Sequence, residues 1–248
     1  MGHPEPILEH RKMTLRERLR APDSYGLLLV LILASIVATA AASGTQLGRF
    51  VTVVFLGGTL LFAMLTSRAG HRFRRMWSIA VPVMVVVVVV SGILSDADLS
   101  RSIVAGFSAV LVVAALAAIL SRLATHTTIS IQTVLGALSM YLLLGLFFAS
   151  IFAFLAYASG DAFFAQGASS GTSVNYIYFS YVTISTVGYG DLSAAGDLGK
   201  MLSASEALVG QLFLVTVVAL LVTNLGKPRQ HVAREPEEDA GSGGPVAD

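Results

Sequence analysis

The sequence predicts an all-α membrane protein, and three observations carry that expectation. Of its 248 residues 55% are hydrophobic and 12% charged, with a mean hydropathy of +0.77, whereas an ordinary soluble domain carries about 25% charge. The apolar residues gather into six runs, 26–43, 50–67, 77–95, 102–121, 133–158 and 200–223, each close to the ~20 residues that cross a bilayer. The basic residues between these runs fall almost entirely on one side.

The third observation sets a topology, because loops rich in Lys and Arg stay in the cytoplasm. With the N-terminus inside, thirteen basic residues are cytoplasmic: Arg11, Lys12, Arg16, Arg18, Arg20, Arg68, Arg72, Arg74, Arg75, Arg122, Lys227, Arg229 and Arg234. Arg49, Arg101 and Lys200 are the three left outside. Six crossings then place both termini in the cytoplasm and residues 159–199 on the outer face of a plasma or inner membrane. The basic leader, the apolar run and Ala40-Ala41-Ala42 also fit a signal peptide. The long leader with its four acidic residues favours a retained helix.

Composition excludes much else. There is no cysteine, hence no disulfide-linked partner and no zinc-thiolate site. A net charge of +1, distributed by topology, points to no nucleic acid. No Gly-rich nucleotide loop, carboxylate pair or metal-ligand cluster stands out, so neither a cofactor nor an enzyme is expected.

The first 25 residues form a cytoplasmic segment, in which Met13 to Leu19 can make a short amphipathic helix on the membrane surface. Residues 26–121 read as four helices. The third holds Pro82, a tolerated kink in a membrane helix, and the run Val85–Val90. That run would suit a buried strand in water, but an isolated strand cannot satisfy its backbone in lipid. The fourth helix is bracketed by Arg101 and Arg122 with nothing charged between them. A voltage-sensing helix needs a ladder of arginines. Gly106, Ala109, Ala114, Ala115, Ala117 and Ala118 instead permit close packing. These four helices are therefore expected to be a sensor-like scaffold without gating charges. Residues 122–132 form an interfacial linker, where His126 reads as a solvated loop residue.

Residues 133–223 form the second unit. Tyr141, Phe147, Phe148, Phe152, Phe154 and Tyr157 suit an outer helix packed against both lipid and protein. Residues 159–172, rich in Gly and Ser, read as a flexible outer turret. Thr172 or Ser173 can cap a short helix over about 174–185. Too short to span, this helix directs its negative dipole end toward the membrane centre. It runs straight into Thr186-Val187-Gly188-Tyr189-Gly190, then Asp191.

Residues 174–191 resemble the pore helix and selectivity filter of tetrameric potassium channels. The whole chain resembles the six-helix, voltage-gated-like branch of that family, specifically over 133–223 and in topology before that. The resemblance implies a homotetramer around a central pore, embedded in membrane lipids, with K+ as the permeant ion. Rings of backbone carbonyls replace the hydration shell of the ion in such filters. By resemblance the carbonyls of Thr186, Val187, Gly188 and Tyr189, with the Thr186 hydroxyl, line the ion sites, and Gly190 the outer mouth. Glycine at 188 and 190 permits the backbone angles this needs. Val187 and Tyr189 then point away from the axis and wedge against surrounding protein.

Departures from the family pattern limit what carries over. Tyr178 and Phe179 stand where many members have two tryptophans. Tyr178 keeps a hydroxyl that can reach Asp191 and brace the filter, whereas Phe179 has no donor for Tyr189. Val182 stands where some bacterial channels bury a Glu. Filter support is thus expected from Asp191, Tyr178 and an apolar Val182.

In the last helix Gly210 falls at the family's hinge, and close packing through a small residue is the alternative. If Gln211 faces the cavity, helical spacing adds Leu214, Val218 and Val222 to the same face, a hydrophobic constriction able to gate by dewetting. Glu206, an ionisable residue inside a membrane segment, is a regulatory candidate. It can bond to the pore helix or face an aqueous crevice. Residues 224–248 form a cytoplasmic tail too polar to bury a core, expected to be disordered.

These features point to a potassium-selective channel without steep voltage gating. The alternatives are a weakly selective cation channel or a non-conducting modulatory subunit. A transporter with four filter repeats in one chain would show an internal repeat, and none is present. The gating stimulus is left open among constitutive opening, pH, tension and lipid.

Overall fold

A computed structural model describes residues 24–41, 51, 54–62, 71–94, 97–123, 131–167 and 171–225. Its elements are helices: α1 Ser24–Ala41, α2 54–62, α3 His71–Leu94, α4 Ala97–Leu123, α5 Ile131–Ser159, α6 Ser173–Ile184 and α7 Asp197–Leu225. Among the described residues there is no strand; a lone antiparallel bridge joins Phe164 to Ala194. The proposed surface helix at 13–19, His126, most of the linker and all but the first two residues of the tail lie outside the described residues.

Three helices are long and apolar enough to cross a membrane: Asp98–Leu120, Ile131–Ser159 and Asp197–Leu220. Tyr25–Ala41 and Arg75–Ser91 are shorter apolar helices. The described residues thus hold three full-length candidate spans against the six expected. The valine run of α3 is helical, and the helix continues through Pro82. Small hydroxyls are absorbed locally, as in lipid they must be. Thr39 donates to the Ser35 carbonyl at 2.8 Å, and Ser91 to that of Val88 at 3.0 Å.

Packing follows side-chain size. α4 lies along α5 over the largest helix contact among the described residues, and its Ala114, Ala115 and Ala118 are buried. Gly106 faces the ring of Phe154, where an added Cβ would sit 3.4 Å away. The two charges at the head of α4 pair with each other, Arg101 to Asp98 at 2.9 Å, and the guanidinium rests 5.8 Å above the Tyr157 ring.

The outer turret departs from the expected flexible loop. Phe163 and Phe164 are buried in an aromatic cluster with Phe148, Phe152, Tyr176 and Phe179. Phe164 stacks on Tyr176 at 5.1 Å, and Phe163 lies 5.0 Å from Phe152. Backbone bonds from Ala165 N to Ser193 O and from Ala195 N to Phe163 O, both 2.9 Å, tie the turret to the segment after Asp191. The Gly and Ser content of 159–172 hid these two anchoring rings.

Outward faces are apolar. α7 is the extreme case, with Leu198, Met201, Leu208, Leu212, Val215, Val218 and Leu220 more than half exposed.

Candidate functional site

The site is built on α6. Thr172 caps it, its hydroxyl accepting from Asn175 N at 3.2 Å, which satisfies one of the free N–H groups at the helix start. The far end is closed by the chain that follows. Thr186 N donates to Thr183 O at 2.9 Å; Val187 N and Gly188 N both donate to Val182 O, at 3.0 and 3.2 Å. Three successive loop N–H groups are thereby committed to the last carbonyls of the helix. Their own carbonyls take no part in that cap.

The loop backbone alternates. Thr186, Gly188 and Gly190 have positive φ, at 59°, 54° and 80°, while Val187 and Tyr189 between them do not. An extended strand turns successive carbonyls to opposite sides, and a change of φ sign at every residue undoes that alternation. Glycine supplies the angle without strain at 188 and 190. Thr186 has no such freedom, since a β-branched residue in this region is a true outlier, at a cost of order 1–3 kcal/mol. Such strain persists where surroundings over-determine it, and the double anchoring on Thr183 and Val182 does so here.

Two tyrosines brace the outer end. The Tyr178 hydroxyl donates to Asp191 Oδ2 at 2.8 Å, and Asp191 Oδ1 accepts from Leu192 N at 3.0 Å. The Tyr178 and Tyr189 rings are parallel within 4°, centroids 6.4 Å apart. The Asp191 carboxylate pushes the Tyr178 phenol above its ordinary pKa. Phe179 turns the other way, into the turret cluster, where Phe152 and Phe164 meet it edge-on at 5.4 Å. Val182 contributes its carbonyl, as the acceptor of the loop cap.

Behind α6, three hydroxyls reach across to neighbouring backbone. Tyr181 donates to Leu142 O at 2.7 Å, and Tyr141 to Ile184 O at 3.1 Å. Ser180 Oγ lies 2.6 Å from Gly145 O and also within hydrogen-bond distance of Glu206 Oε1. Gly145 makes room for this: an added Cβ would sit 2.5 Å from the Tyr181 ring.

On α7 the face turned to the protein carries Leu202, Glu206, Gly210 and Phe213. Glu206 is wholly buried, and its carboxyl meets Ser180 of α6. Gly210 lies against Ile184, so closely that a Cβ would be 2.5 Å from its carbonyl oxygen. Gln211, Leu214 and Val218 lie on another face, exposed on a single chain. Val222 is helical, and its side chain is outside the described residues. Val187 and Tyr189 are 53% and 71% exposed, so one chain supplies nothing for them to wedge against.

Sequence reasoning missed Ser180, Gly145 and the paired Tyr141 and Tyr181. A Ser and a Gly inside apolar helices carry no signature, and Tyr141 reads in sequence only as one aromatic of the outer helix.

Residues 136–227 match the family model described as an ion channel. No curated protein and no solved structure matches the chain. The match spans more than a third of the sequence and covers α6, the loop, all of α7 and most of α5. That stretch of the chain is similar to ion channels, and the described residues hold three helices long and apolar enough to cross a membrane.

Proposed function

We propose that this chain forms a potassium-selective homotetrameric channel with six spans and both termini cytoplasmic, and that it conducts K+ passively without steep voltage dependence. One observation carries the reading: the alternating φ of residues 186–190, fixed onto the end of α6 through the loop's own N–H groups. That geometry frees consecutive carbonyls to act as ion ligands. Oxygen dipoles in sequence, without side-chain charge, suit a monovalent cation that trades water for carbonyls. The ion ligands in this reading are Thr186, Val187, Gly188 and Tyr189, with Gly190 at the outer mouth.

Assembly is supported by what one chain leaves uncovered. Val187, Tyr189 and the outward face of α7 are exposed and apolar. A single strand of carbonyls covers one side of an ion, and a closed cyclic arrangement of four covers the rest. Neighbouring chains then supply the wedge for Val187 and Tyr189, and the stripe Gln211, Leu214, Val218 and Val222 lines a cavity that narrows toward the cytoplasm. Residues 26–121 serve as scaffold and 133–223 as pore domain. Lipid covers the remaining apolar surface.

The test is full-length protein in liposomes under potassium and sodium gradients. Potassium flux well above sodium flux is expected. Equal fluxes would favour a weakly selective cation channel, and no flux of either ion a modulatory subunit.

A further inference from the structure

Glu206 sits where no charge is easily kept. It is 0% exposed in the isolated chain, so assembly can only bury it further. α7 packs on α5 and α6, and the titratable groups within electrostatic reach on those helices are Tyr141 and Tyr181. Both hydroxyl protons are already given to backbone carbonyls, those of Ile184 and Leu142. Among the described residues no ion pair includes Glu206.

The protons can be counted. Ser180 Oγ has one proton and two oxygen neighbours, Gly145 O and Glu206 Oε1. A backbone carbonyl cannot donate. If Ser180 donates to Glu206, its 2.6 Å approach to Gly145 O sets lone pairs against lone pairs. If it donates to Gly145, it must accept from Glu206, and only the acid form of a carboxyl can donate. The second oxygen agrees. Glu206 Oε2 is buried with no hydrogen-bond partner. A carboxylate would leave half its charge there unsolvated, at high cost. The carbonyl oxygen of an acid is far less penalised.

We propose that Glu206 is a neutral carboxylic acid whose proton closes a relay, Glu206 Oε1–H to Ser180 Oγ–H to Gly145 O, tying α7 to α6 and α5 behind the filter loop, and that losing this proton releases α5 from the other two helices. Deprotonation breaks the Oε1–H bond and releases the proton to water. The hydroxyl of Ser180 must then turn to the carboxylate, and Gly145 O loses its donor.

The experiment is infrared spectroscopy on the full chain in lipid. At neutral pH the wild type should show a protonated-carboxyl stretch that is lost in Glu206→Gln and shifted in Ser180→Ala. Coincident wild-type and Glu206→Gln spectra in that region would overturn the proposal. This arm needs no conduction, so it stands or falls separately from the potassium reading. In liposomes, alkaline pH should discharge the band and lower wild-type flux severalfold in step, while Glu206→Gln, whose amide still donates, does not follow pH below the strongly alkaline range in which Tyr178 loses its proton. An identical pH response in both proteins would show that the proton is not the tie.

Discussion

Gly210 presses directly on Ile184: a Cβ at position 210 would lie 2.5 Å from both the carbonyl oxygen and Cγ1 of Ile184. The contact joins the middle of α7 to the end of α6, two residues before the loop cap begins at Thr186. It gives Gly210 the close-packing contact that was the alternative to a hinge.

Gly210→Ala separates packing from hinge. Were backbone freedom its whole role, Ala would firm the helix by about 1 kcal/mol. Because the clash is with backbone, overpacking of about 1–3 kcal/mol is expected instead. Thermal unfolding in detergent should show a lowered midpoint, accompanied by loss of potassium preference as Ile184 shifts the base of the loop. A raised midpoint with unchanged selectivity would assign Gly210 to the hinge.

Tyr178→Phe removes the donor to Asp191 and keeps the ring parallel to Tyr189. The pair is at the surface of a single chain, so global stability should barely move. Selectivity, or the persistence of current during sustained flux, should change. The pH dependence has a definite sign. Asp191 raises the phenol's pKa in the folded protein, so the bond persists below the ordinary tyrosine value of about 10. It is lost as pH climbs through the raised value. Wild type at strongly alkaline pH should therefore behave as Tyr178→Phe does at neutral pH in single-channel recordings.

Voltage should act weakly. Between Arg101 and Arg122 α4 carries no charge, and Arg101 is already held by Asp98 and Tyr157. Each elementary charge moved contributes about 2.3 kcal/mol per 100 mV, and α4 offers no ladder to move. Arg101→Gln should leave the conductance–voltage relation unchanged. A steep sigmoid in wild type that flattens in Arg101→Gln would contradict this.

Phe164→Ala should release the turret. Phe164 is buried between Tyr176 and Phe179 and sits at the bridge to Ala194. Removal of a buried Phe costs about 3–5 kcal/mol. Increased protease cleavage within 160–167 and a lower unfolding midpoint are the expected readouts, with ion preference retained because the loop cap on Val182 and Thr183 is untouched.

Much was legible before any coordinates. A short capped helix was readable over about 174–185, and the observed helix is Ser173–Ile184 with Thr172 as its cap. The family resemblance set the Tyr178 hydroxyl within reach of Asp191, and it bonds there. The bent turret was not legible, because Phe163 and Phe164 are two ordinary aromatics until Tyr176 and Phe179 are brought beside them. Nor was Thr186 at positive φ: the sequence shows glycine where the angle is free, and is silent where it is imposed by hydrogen bonds on a β-branched residue.

What the sequence determined by itself is what depends on local composition and period: membrane helices, the break at the turret, the glycines of the loop, and the absence of charge along the fourth helix. Burial of apolar length and backbone satisfaction act residue by residue, so they can be read in one dimension. Tertiary structure alone decided the partners of Glu206, Gly145 and Gly210. Each depends on which atom of a distant helix comes within 3 Å, and side-chain contact across helices leaves no period in the chain. A buried carboxyl beside Ser180 and Gly145 therefore looks, in sequence, like any other Glu in an apolar run.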